Sequence, residues 1–132
     1  MKQQLNPENF YKSGRAYSPG LKVDVGDSEM IFVAGQIAKD KDGNVVSPND
    51  ITEQTEFVFQ KIVQILNCGG ATLEDVVKAV IYVTRISDLE KVSAVRNKYF
   101  SNCKPVSTLI EINKTTTEGC NVEIEVIAIR KK

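Results

Sequence analysis

Histidine is absent from this 132-residue chain. That excludes Ser/His/Asp and Cys/His triads, the His-Glu-x-x-His zinc site and any imidazole base. Chemistry is left to carboxylates, hydroxyls, thiols, lysine, arginine and backbone groups. Cysteine is scarce. Cys68, Cys103 and Cys120 are odd in number, widely spaced and form no Cys-x-x-Cys pair, so neither a zinc site nor a redox motif is expected. No base adjoins Cys103 or Cys120, and ordinary reduced thiols fit best. No charge dominates: 17 Lys and Arg stand against 17 Asp and Glu, which argues against a nucleic-acid partner. No apolar run approaches the ~18–20 residues of a membrane span. The polar start, MKQQLNPENFYKSG, lacks the apolar core of a signal peptide. The expectation is a soluble cytoplasmic protein with no membrane contact.

What is present reads as one α+β domain over residues 1–132, with an irregular N-terminal segment at 1–15. Residues 21–25 alternate as a short strand, and 29–37 pair with them as a hairpin across the Gly-Asp-Ser turn. DKDGN at 40–44 lacks the glycine and glutamate positions of a calcium loop and reads as a turn. Asp50 and Glu53 form a capping box. Phe59, Ile62, Val63 and Leu66 then recur at helical spacing, and Gly69 and Gly70 end the helix. Residues 76–83 are β-branched and apolar, a buried strand. Ser87 and Glu90 suggest a second capping box, for a helix running to Phe100. Strands at 107–112 and 122–129 complete a ββαβαββ order.

Two helices cover one face of such a sheet. Residues 76–83 and 122–129 are apolar on nearly both faces, and no chain is left for the second face. An uncovered apolar face of that size implies self-association with closed symmetry. Glu123 and Glu125 share one side of the last strand, opposite Val122, Ile124 and Val126. If the helices take the valine side, both glutamates point toward the subunit contact. There a carboxylate either pairs with a neighbour's cation or lines a pocket and handles protons.

AYSPG (16–20), IFVAGQI (31–37), VVKAVIYV (76–83), VRNKYF (95–100) and VEIEVIAI (122–129) occur in an order and spacing that resemble the RidA family, also called YjgF or L-PSP. The likeness runs from about residue 16 to the end. It implies a chorismate-mutase-like fold and a homotrimer with a central barrel. Small-molecule clefts lie at its subunit interfaces. The activity it implies is cofactor-free hydrolysis of enamines and imines, such as 2-aminoacrylate and 2-iminobutanoate, to 2-keto acids and ammonia. The family glutamate that handles the hydrolytic water falls on Glu123, and the site tyrosine on Tyr17. The glycine of the Ser-Gly-Gln strand falls on Gly35, with Ala34 in place of the serine.

The family arginine that clamps the substrate carboxylate is replaced by Ser107, within PVSTLIE at 105–111, and an expected asparagine is Arg96. A charge-assisted hydrogen bond contributes ~1.5–3 kcal/mol, whereas Ser107 offers one neutral hydroxyl. Its loss weakens binding of a 2-imino acid unless Arg96 or Arg15 supplies the charge. It also leaves Glu123 without its cationic neighbour, which raises the expected pKa. Glu125 is expected nearer the trimer's centre, in an ion pair or water network. Three readings follow: an imine or enamine deaminase, a non-catalytic binder of a 2-imino or 2-keto acid-like metabolite, or the endoribonuclease of the L-PSP name. The last is disfavoured by balanced charge and missing histidine.

Overall fold

Asp50 caps the first helix, its carboxylate accepting the Glu53 amide at 3.1 Å, but the expected capping box is only half formed: the Asp50 amide donates to the Ser47 carbonyl at 3.0 Å and not to Glu53. The computed structural model describes residues 1–132, and this helix, α1 (Ile51–Cys68), is its longest. Val58, Phe59, Ile62, Ile65 and Leu66 form its buried stripe. It ends in a Schellman turn. Gly70 takes φ +81°, and the Ala71 and Gly70 amides reach the Leu66 and Asn67 carbonyls at 2.9 and 3.0 Å. The second helix, α2 (Leu89–Phe100), begins differently from expectation. Ser87 and Glu90 make no capping box. Ile86–Asp88 is a 3-10 turn whose Ile86 amide is held at 2.8 Å by the Glu111 carboxylate, from a distant strand. No helix is long and apolar enough to cross a membrane.

The strands are β1 (Lys2–Leu5), β2 (Gly20–Val25), β3 (Ser28–Ile37), β4 (Val76–Val83), β5 (Val106–Glu111) and β6 (Val122–Lys131). They form one sheet in the order β1-β2-β3-β6-β4-β5. Only β4 and β5 run parallel, because α2 carries the chain back between them. The expected ββαβαββ order is present, preceded by one further strand. Residues 1–15 are therefore not wholly irregular: β1 pairs with β2 from Lys2↔Val23 to Leu5↔Gly20. Leu5 is the one apolar residue of KQQL, and it is fully buried. Gly20 makes its room, since a Cβ there would stand 3.2 Å from Leu5 and 2.5 Å from Ile65 Cγ2.

Both helices pack on one face of the sheet. Ile31, Val33, Ile81, Val122, Ile124 and Val126 meet Phe59, Ile62, Ile65, Val92 and Phe100 in the core. The helices thus take the valine side of β6. The opposite face carries Met30, Phe32, Val80, Tyr82, Glu123, Glu125, Ile127, Ile129 and Ile110, placed there by the strand register. No element of the chain covers it, and Phe32, Ile129 and Ile110 remain exposed.

Candidate functional site

Opposite Glu125 of β6, strand β3 inserts one extra residue. Val33 pairs with Val126 and Gln36 with Ile124, so Ala34 and Gly35 together oppose one residue. This is a β-bulge, and bulges re-aim side chains and end regular pairing. The Ala34 amide turns to the Pro19 carbonyl at 2.9 Å. That bond draws the N-terminal loop, residues 6–19, alongside the bulge. Gly35 leaves space for the Glu123 side chain: a Cβ there would overlap Oε2 and stand 2.9 Å from Cδ.

A cavity of about 480 Å³ opens at this point. The loop contributes Phe10, Tyr11, Arg15 and Tyr17 to its wall. β3 and the turn after it contribute Gly35, Gln36, Ile37 and Lys39; α1 contributes Lys61; β6 contributes Glu123. Thr116 and Thr117 close another side. Their loop is fixed from beneath. The Thr115 hydroxyl lies 2.8 Å from the Cys120 carbonyl. The buried Gln54 amide donates to Gly119 at 2.7 Å and Val46 at 3.1 Å, and its carbonyl accepts the Asn121 amide at 2.9 Å.

Glu123 is half-buried, and burial raises its carboxyl pKa above the ordinary value, with the Glu125 charge adding to the rise. The direction is the expected one, with burial as the leading cause. Glu125 makes no ion pair. Its carboxylate accepts the Tyr82 hydroxyl at 2.5 Å, and this bond pushes the tyrosine pKa up. Lys61 donates to the Ile37 and Lys39 carbonyls at 3.1 and 3.2 Å. Its pKa is lowered to about 8, chiefly by burial, with Cys120 opposing the fall and the nearby Lys39 charge adding to it. Cys120 is itself buried, which pushes its thiol up, and it faces the Ala38 carbonyl at 3.5 Å. Cys103 is half-buried and also raised by burial, while Cys68 is exposed; all three thiols are unpaired.

Of the residues singled out in the sequence, Tyr17, Gly35, Glu123 and Arg15 share this cavity. Ser107 and Arg96 do not reach it within one chain. Ser107 lies on the edge strand β5, paired with Ala79 and separated from β6 by β4. Arg96 lies on α2 and bonds its neighbour Asn97 at 3.2 Å. Lys39 and Lys61 on the wall, and Gln54 beneath it, were not expected from the sequence. Gln54 carried a signal, as a polar residue in the apolar stripe of α1, but the two lysines had none. Residues 40–44 form the expected turn: the Asp40 carboxylate accepts the amides of Asp42 and Asn44, each at 2.9 Å.

The endoribonuclease L-PSP family model matches residues 9–130. A RutC family protein of Pyrococcus abyssi is 36% identical over 130 residues, covering 98% of both chains. A RutC family protein of Saccharolobus solfataricus is 34% identical, covering 97% of this chain and 98% of its own. A Thermotoga maritima structure superposes with TM-score 0.87 at 32% identity over the whole of both chains. The YjgF gene product of E. coli gives TM-score 0.82 at 26% identity, covering 98% of this chain and 99% of its own.

Proposed function

Because the chain belongs to the RidA/YjgF/L-PSP family, we propose that it assembles as a homotrimer and uses the Glu123 cavity to hydrolyse small 2-imino acids or their enamine forms. One observation carries the reading: Glu123, Gly35 and Tyr17 converge on a single cavity, with the carboxylate pKa raised by burial. A raised pKa makes the carboxylate a better base toward water. Water adds to the imine carbon as Glu123 takes its proton. The C–N bond then breaks, the nitrogen leaves with the protons as ammonia, and the 2-keto acid remains. Atoms balance with one water consumed, and no electron acceptor is needed.

The uncovered sheet face supports the trimer. Its apolar residues, Met30, Phe32, Val80, Ile110, Ile127 and Ile129, run across β3, β6, β4 and β5 around the two glutamates, and burying them against two copies removes them from water. Such an assembly also brings a neighbour's edge strand into reach of the cavity. In this reading Ser107 faces the ligand from the adjacent subunit.

Ser107 favours a second reading, in which the cavity binds a 2-keto or 2-imino acid without turnover. The endoribonuclease reading is weakest, for want of a basic stripe to track phosphates and of histidine. The test is release of ammonia and keto acid from 2-iminobutanoate made in situ, by the native protein and Ser107→Arg. Native turnover above the spontaneous rate supports the hydrolase. Turnover gained only with Ser107→Arg supports the binder, and cleavage of RNA by purified protein would overturn both.

A further inference from the structure

Three cations line the cavity, and none has a carboxylate partner. Arg15 comes from the N-terminal loop, Lys39 from the turn after β3 and Lys61 from α1. The ion pairs of the molecule all involve other cations. Lys61 is the most enclosed. Two backbone carbonyls hold its ammonium, and the Phe10 ring centroid lies 5.3 Å away. The Lys39 ammonium sits 4.5 Å from the Tyr11 centroid. Carbonyls and ring faces order these side chains, but they supply no full negative charge. The two ammonium groups repel each other, as the effect of Lys39 on Lys61 shows. The one carboxylate on the wall, Glu123, holds its proton more tightly than usual. Three cationic side chains around a single carboxylate leave the half-buried cavity with an excess of positive charge, which favours an anion.

We propose that Lys61 and Lys39, joined by the exposed Arg15, form the anion-binding end of the cavity and take the carboxylate of a small 2-oxo or 2-imino acid. The assignment rests on the reading that this cavity is the ligand site. It supplies from within one chain the positive charge that Ser107 cannot. It also fixes a pH dependence. In the free protein Lys61 titrates at about 8. A bound carboxylate stabilises the ammonium and raises that pKa. Affinity is therefore full below pH 8 and falls as the free amine loses its proton above it. The groups around Lys61 are Lys39 beyond β3, Cys120 just before β6, Glu123 on β6 and Arg15 on the loop. Burial pushes the Cys120 thiol up.

The test is titration of the full chain with 2-oxobutanoate, followed by amide NMR at pH 7 and pH 9. Native protein, Lys61→Met and Lys39→Met are compared, with inorganic phosphate as a parallel probe. Methionine removes the ammonium while keeping an unbranched side chain of similar length, and native amide dispersion reports an intact fold. The expected result is saturable binding that shifts Gly35 and Thr117 and weakens roughly tenfold between pH 7 and pH 9. Lys61→Met should bind roughly tenfold more weakly at pH 7 and lose the pH step. If Lys61→Met does not fold, the native pH step and Lys39→Met carry the decision.

Native-like binding by both variants with a flat pH profile overturns the proposal, as does absence of binding. Phosphate that binds as tightly as 2-oxobutanoate overturns the carboxylate assignment. Turnover of 2-iminobutanoate with lysine-independent binding refutes this anion site and leaves the hydrolase standing. Lysine-dependent binding without turnover does the reverse.

Discussion

Gly35 lies directly against the Glu123 carboxylate, so close that any side chain at residue 35 would displace it. The glycine is required by this approach and not by its own backbone angles, since its φ is not positive. Gly35→Ala should push Glu123 out of place while leaving the core intact, because the displaced atoms are the free end of a flexible side chain. Overpacking a core typically costs ~1–3 kcal/mol, and the cost here should fall at or below the low end. The check is a thermal melt alongside ligand titration. Near-native Tm with impaired ligand handling is expected; unimpaired handling would contradict the geometry.

Glu123 should cost the protein stability at neutral pH. Its folded pKa is raised, so its contribution is full below the ordinary carboxylate pKa and is lost as pH rises through the folded value. Glu123→Gln removes the buried charge. The variant should melt higher than native at pH 7, and the gain should vanish near pH 4. An unchanged or lower Tm at pH 7 would show that the charge is well compensated.

Gln54 ties α1 to the loop that carries Thr116 and Thr117. Gln54→Leu strands the Gly119 carbonyl and the Asn121 amide, both bonded to its side chain. Each buried group left unpaired costs ~1–3 kcal/mol. Denaturant unfolding should show a loss of about 2 kcal/mol or more, with weakened ligand binding because the cavity wall loosens. A loss below about 0.5 kcal/mol would mean that water replaces these bonds.

The exposed face predicts an assembly. Sedimentation should give a mass three times that of the 14.6 kDa chain. Phe32→Glu, which places a charge in the middle of the apolar face, should dissociate it without unfolding the helices. A native monomer would contradict the trimer.

Much of the fold was legible because caps and periods agree. Asp50, the α1 stripe and Gly69-Gly70 mark one helix without ambiguity, and the β-branched run Val76–Val83 is strand along its whole length. β1 was not legible, since KQQL has one apolar residue and its partner contributes only Gly20 at that point. The start of α2 was misread because its stabilising acceptor, Glu111, comes from a strand 25 residues away. Within the site, Gly35 inside a strand pattern is the usual mark of a bulge or a close approach, and both are present. Lys61 gave no sign: on a helical wheel it is one more polar residue beside the apolar stripe. It becomes part of a cavity only when the N-terminal loop folds over it.

The most direct test of the account is the rate of keto-acid and ammonia release from 2-iminobutanoate, with native protein and Glu123→Gln at equal concentration and pH. Acid–base groups of this kind contribute about 10²–10⁴-fold. Native turnover well above the spontaneous rate is expected, with a fall of that order in Glu123→Gln, which keeps its fold. Equal rates for the two proteins would contradict the role given to Glu123.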